Sequence, residues 1–277
     1  MHLNYTREKK SIIGLLGGAG PEACIDVQRK ILQITQKKKA ILSDHCHYHV
    51  ITDNNTNLIN RDKQFHLKFE NLLIHQYKKT LDLFEAYNVS FGAITCNSAH
   101  LYFQEIQSLT KIKLVNMIDC VVNFLKKERI SEVGLLSSFS TYKSKLYDDA
   151  LKKHNIYTIV PSESDQIKIS HVIYAIKAGL FNTELSPEEN AKLLSVYKYN
   201  MHELMQSSEC QPINISRPDI LLKEVIVNLQ KNGVRRFVLG CTELPLINNW
   251  LDNLGIEYID ANMLLALALV EQHETSV

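Results

Sequence analysis

Apolar positions in this chain gather into short runs, and the stretches between them repeat with helical spacing. The runs at 12–16, 48–51, 91–95, 113–117, 133–137, 156–159, 237–240 and 257–259 are rich in Ile, Val, Leu and Phe. Strands buried on both faces of a parallel sheet have this look, apolar on consecutive rather than alternate positions. Helical spacing marks 22–34, 71–87, 119–128, 142–153, 165–178, 217–232 and 262–272. Strands alternating with helices predict βαβ units, whose ligands sit beyond the carboxyl ends of the strands. The polar stretch 182–216 reads as loop.

The pattern repeats in order. Gly14-Leu15-Leu16 is answered by Gly134-Leu135-Leu136 at an offset of 120, and the run into Cys96 by the run into Cys241 at an offset of 145. The runs at 112–116 and 256–260 differ by 144. The second half therefore holds about 25 extra residues, and 182–216 is where they fit. The expected fold class is α/β, with two similar lobes, each a mainly parallel sheet flanked by helices, and the active site between them. Residues 11–112 plus 257–277 are assigned to the first lobe and 113–256 to the second.

Composition narrows the function. Apolar residues make up 45% and charged residues 22%, which excludes disorder. Thirty-one Lys plus Arg against 30 Asp plus Glu leave a net charge of +1, so no global field recruits nucleic acid or an anionic membrane. The longest apolar run, 263–270, falls far short of the roughly 20 residues a bilayer span needs. Six widely spaced cysteines do not make a disulfide scaffold. A basic start followed by the apolar stretch 11–20 looks like a secretory signal, but Pro21, Glu22 and a helical pattern follow at once. The expectation is a soluble, cytosolic protein.

Candidate chemistry sits where strands end. Cys96 closes an apolar strand and precedes Asn97, Ser98 and a helical pattern; Cys241 follows Gly240 and precedes Thr242. Backbone N–H groups at such a place lower a thiol pKa from its usual value of about 8.5. Two thiols facing each other across a lobe interface suit a single reaction. One removes a proton from carbon and the other delivers a proton to the opposite face. The plain reading of either cysteine alone is a buried structural thiol; two in equivalent polar contexts argue against it. Between the first strand and first helix, Gly17, Gly18, Ala19 and Gly20 read as an anion-binding loop, with Pro21 at the first helical position. Gly18-x-Gly20-x-x-Ala23 also fits a dinucleotide fingerprint, but the acidic residue it needs roughly 20 positions on is best matched by the more distant Asp53.

The chain resembles the PLP-independent aspartate/glutamate racemases, specifically the aspartate racemase branch. The resemblance runs from Ser11 to the C-terminus and rests on GLLGGAGPEA from Gly14, TCNSAH from Thr95, YAIKAG from Tyr174 and LGCTELPLI from Leu239. Related glutamate racemases usually carry His after the Cys-Thr pair; Glu243 stands there in this chain. The resemblance implies that Cys96 and Cys241 are the acid/base thiols and that Asn97, Ser98 and Thr242 hold the α-carboxylate and amino end. Arg61 would bind a carboxylate, Lys177 would recognise the distal one, and Ser138 and Thr141 would line the site. It also implies no cofactor, no metal, a dicarboxylic amino acid as ligand and a homodimer. This chain departs from the family pattern at Ser98 (usually Thr), Asn60 (usually Asp, after a Pro that is missing) and Ala19 (often Met).

Other readings compete. His45-Cys46-His47-Tyr48-His49 puts imidazoles on one strand face, yet no second cluster with zinc spacing accompanies it. Cys96 and His100, four apart, resemble a Cys/His nucleophile pair. The alternatives to a racemase are a cysteine-dependent isomerase or decarboxylase of another small acid, or a non-catalytic binder of a carboxylate or dinucleotide.

Overall fold

The computed structural model describes residues 11–38, 44–60, 70–198 and 217–275. In the first lobe β1 (Ile12–Leu16) leads into α1 (Pro21–Lys38), followed by β2 (His49–Asp53), α2 (Glu70–Ala86), β3 (Phe91–Ile94), α3 (Phe103–Ser108), β4 (Lys113–Val115) and α4 (Met117–Lys127). In the second, β5 (Glu132–Ser137) is followed by α5 (Phe139–Lys143), α6 (Leu146–Lys152), β6 (Tyr157–Ile159), α7 (Glu163–Lys177), α8 (Pro187–Lys198) and α9 (Pro218–Lys231). The chain closes with β7 (Arg236–Gly240), α10 (Asn248–Asn253), β8 (Glu257–Asp260) and α11 (Ala261–Thr275).

All pairings are parallel, in two sheets of the same order, β2-β1-β3-β4 and β6-β5-β7-β8. The expected duplicated α/β architecture is what forms. Two strands sit in the opposite sheet from the assigned division. Residues 113–115 pair with β3 and complete the first sheet, and 257–260 pair with β7 and complete the second. Each βαβ crossover returns the chain to the edge of the sheet it has just left, so the fourth strand stays with its own sheet. Only then does the chain change sides. α11 leaves the second sheet and packs against α1 and α4.

That crossing explains why α11 is apolar nearly all round. Leu265, Leu269 and Val270 are fully buried, in one cluster with Val27 and Ile31 of α1, Val121 and Leu125 of α4, and Leu135 and Val238 of the second sheet. A helix buried on several sides needs no polar face. Burying each such side chain contributes about 1.5–3 kcal/mol, so this shared core joins the lobes as well as filling them.

The stretch 182–216, read as loop, contains α8. Its start carries a capping box: Ser186 Oγ accepts from Glu189 N at 3.2 Å while Glu189 Oε2 accepts from Ser186 N at 2.9 Å. Leu193 is buried beside Ala175 of α7, so the insert packs on the second lobe.

Candidate active site

Register sets the site. Leu16 lies opposite Asp53 and Ile94, which levels three carboxyl ends of the first sheet, and Cys96 follows two residues after β3. Ser137 lies opposite Gly240, so Ser138 and Cys241 leave the second sheet side by side. Both thiols then line one small cavity between the lobes, which also takes in Asn97, Ser98, Ser138 and Thr242. The rest of its wall includes Ala19, Asn60, Lys177 and Glu243.

Among the sequence-picked positions, Cys96, Cys241, Asn97, Ser98, Lys177 and Thr242 meet in this cavity. Thr141 does not reach it; fully buried, it stands behind Ser138 with the two hydroxyl oxygens 3.1 Å apart. Arg61 lies outside the described residues. Of the glycine-rich loop only Ala19 touches the cavity, whereas Gly18 and Gly20 line an outer pocket that shares Asn60, Lys177 and Glu243 with it. Gly18 and Gly20 have φ of +89° and +129°. A side chain on Gly18 would strike the backbone of Asn55, and one on Gly20 would strike Oε1 of Glu243. The loop is glycine-rich because it is pressed against chain and carboxylate, and a carboxylate at Gly20 is a poor neighbour for a pyrophosphate. Asp53, the residue a dinucleotide ribose would need, accepts a hydrogen bond from the Thr80 hydroxyl.

The two thiols have different company. Cys96 Sγ sits 3.4 Å from the Ser98 hydroxyl. Cys241 donates to Oε2 of Glu243 at 2.9 Å, and Oε1 of Glu243 is ion-paired with Lys177. Burial, followed by the Glu243 charge, pushes the Cys241 thiol well above its usual pKa; the Lys177 charge opposes them. The site therefore holds Cys241 as the thiol, with a carboxylate poised on its proton. In the sequence Glu243 showed only as a marker of family branch, though a carboxylate two residues from a strand-end cysteine is a signal in its own right.

Asn97 has one amide end anchored and the other open. Its Oδ1 accepts from the fully buried Tyr147 hydroxyl at 2.5 Å, which fixes the amide. Its Nδ2 is buried with no hydrogen-bond partner, an uncommon state for a buried donor and one that a ligand oxygen relieves. Tyr147 reaches across from α6 to the first lobe, a contact that sequence spacing did not reveal.

His100 forms no Cys/His nucleophile pair. Its Nδ1 donates to the Cys96 carbonyl at 2.8 Å and its Nε2 accepts from Met117 N at 3.0 Å, so both ring nitrogens are engaged with backbone. Among the described residues, no group of three or more His, Cys, Asp or Glu is placed to hold a metal ion, and 45–49 form none. No described helix is long and apolar enough to cross a membrane.

Known proteins agree with this architecture. The chain superposes on Picrophilus torridus aspartate racemase with a TM-score of 0.68 at 24% identity, covering 95% of this chain and 94% of the other. It superposes on Francisella tularensis glutamate racemase, solved with D-glutamate, with a TM-score of 0.61 at 15% identity, covering 96% and 82%. By sequence it is 24% identical over 167 residues to the broad specificity amino-acid racemase RacX of Bacillus subtilis, covering 60% of this chain and 71% of that one. The family model for Asp/Glu/hydantoin racemases matches residues 16–269, a span that takes in both cysteine-bearing strand ends, and the chain belongs to that family.

Proposed function

We propose that the protein interconverts the L and D forms of a small acidic amino acid, aspartate first and glutamate second, using Cys96 and Cys241 as a two-sided acid and base. The observation that carries this is the meeting of both thiols with Lys177 in one interlobe cavity. In this reading a thiolate takes the α-hydrogen as a proton, the electron pair stays on carbon, and the opposite S–H returns a proton to the other face. The chemistry asks only for two thiols and donors for the growing negative charge, so no cofactor enters it.

In this reading each residue takes a role that its surroundings support. Asn97 Nδ2 is the free donor for the α-carboxylate, whose charge grows as the carbanion forms. Cys241 begins as the acid. When it must act as the base, Glu243 accepts its proton along the existing S–H···O contact. Lys177 balances Glu243 and offers a cation to the distal carboxylate, with Arg61 the expected second cation. Incubating the protein with L-aspartate in D2O tests the reading: deuterium enters the α-position as optical rotation decays. Absence of both with aspartate, glutamate and neutral amino acids rejects it.

A further inference from the structure

Behind the cavity lies a cluster of buried charge that the proposed reaction does not use. Lys30 of α1 is buried, and its ammonium is ion-paired with Asp26 of the same helix and with Asp260 at the end of β8, the latter at 2.8 Å. Asp260 also accepts from Met263 N at 3.0 Å and from Asn248 Nδ2 at 3.2 Å. Asn262, fully buried in the first turn of α11, gives its side-chain N–H groups to two acceptors. One is Asp26 Oδ2 at 2.8 Å and the other is the backbone carbonyl of Thr242 at 3.1 Å.

These bonds cross between lobes. Asp26 and Lys30 sit on the helix that follows the glycine-rich loop, whereas Asp260 and Asn262 end the second sheet's last strand and begin the helix beyond it. The receiving carbonyl belongs to the residue between Cys241 and Glu243. Two carboxylates facing one buried ammonium are a poor source of stability, because charges pulled from water seldom recover their desolvation cost. What such a network supplies is a fixed geometry: the charges and the Asn262 N–H groups are paired, whereas the Asn262 side-chain oxygen is buried without a partner among the described residues.

Resting on the racemase reading, we infer that Asn262 is a positioning residue for the second thiol, holding the Cys241–Glu243 turn at a set height against the first lobe through Asp26 and Lys30. Among the described residues Cys96 has no such tether to this network; its carbonyl is held by His100 instead. Loss of Asn262 therefore harms one face of the reaction and spares the other. A misplacement of about 1 Å at a reacting group costs on the order of a hundredfold in rate.

The experiment follows α-hydrogen exchange from each enantiomer of aspartate in D2O, scored separately as exchange with retention and as inversion. Exchange with retention needs one thiol only, which takes the α-proton, trades it with solvent and returns a deuteron. Asn262→Ala is expected to slow inversion about ten- to a hundredfold and to slow retention exchange equally for one enantiomer, the one whose exchange Cys241→Ala abolishes. Retention exchange of the other enantiomer stays within about threefold of wild type. Should Asn262→Ala fail to fold, as judged by its thermal midpoint, Asn262→Ser keeps one donor and takes the same measurement. Equal slowing of both enantiomers, or of neither, overturns the positioning role while leaving racemisation intact. A wild-type protein that exchanges neither enantiomer overturns the racemase reading and this inference with it.

Discussion

The two strand ends that carry the thiols are topological twins with unlike chemistry. β3 and β7 occupy the same place in sheets of the same order, and each delivers a cysteine to the shared cavity. The first turn surrounds its thiol with neutral groups: the Ser98 hydroxyl, the Asn97 amide and a neutral imidazole behind the backbone. The second surrounds its thiol with charge: Glu243 on the proton and Lys177 on Glu243. Duplication of a fold thus places two like groups opposite each other, and the residues one and two positions later decide what each thiol touches. In the proposed reaction this inequality favours the proton on Cys241, where burial and the Glu243 charge raise the thiol.

The largest effect expected is on the thiols themselves. General acid–base groups contribute about 10²- to 10⁴-fold, so Cys96→Ala and Cys241→Ala should each lower inversion by at least that range. The comparison between them is the sharper test. Each variant should keep exchange with retention for one enantiomer, and the two variants should keep opposite ones. If both lose the same enantiomer, the cysteines do not stand on opposite faces of the substrate.

Next come their partners. Glu243→Gln removes a charge-assisted contact worth roughly 1.5–3 kcal/mol, or about ten- to a hundredfold in kcat/KM. Since the Glu243 charge helps to raise the Cys241 thiol, its removal should also move the corresponding limb of the pH–rate profile to lower pH. Ser98→Ala, the matching change beside Cys96, should cost only a few-fold and leave that limb in place. Equal effects of the two substitutions would break the claimed asymmetry.

Lys177 tests whether the charged turn serves the thiol or the substrate. Lys177→Ala should lower kcat/KM for aspartate about ten- to a hundredfold and for alanine only a few-fold, because alanine lacks a distal carboxylate. Equal losses on both substrates would mean that Lys177 acts only by balancing Glu243.

Local physics explains what could be read in advance. The eight strands were legible as apolar runs, most clearly β1, β3, β5 and β7, which are covered on both faces, while the edge strands β2, β4, β6 and β8 are only part-buried. The thiols were legible because they end such runs. Assignment of 113–115 and 257–260 to sheets was not, since lobe membership depends on where a crossover lands and not on any residue in the strand. α8 was missed under a polar composition, although Ser186-Pro187-Glu188-Glu189 spells a helix start. The pairing of Lys177 with Glu243, 66 positions apart, comes from packing within the second lobe, and the reach of Tyr147 to Asn97, 50 apart, from packing the two lobes together; neither leaves a local trace.

The smallest expected effect concerns stability, and it isolates the neutral turn. His100 is buried between the Cys96 carbonyl and Met117 N, stacked on Phe103. Burial lowers its pKa from 6.5 to about 4, against the weaker pull of its backbone contacts. A protonated ring would also lose its acceptor, because Nε2 would present a hydrogen to the Met117 N–H. The folded state therefore prefers the neutral ring, and the unfolded chain binds the proton first. Stability from this group is fully present above the unfolded value near 6.5 and declines as the pH falls towards 4. The loss amounts to between about 1 and 2 kcal/mol near pH 5.5 and about 3 kcal/mol once both states are protonated. Urea unfolding of wild type and His100→Gln at pH 7.5 and 5.5 measures it. The variant starts less stable, but its stability should fall less between the two pH values by that 1–2 kcal/mol. Parallel curves for wild type and His100→Gln would show that the imidazole does not govern how the Cys96 turn responds to acid.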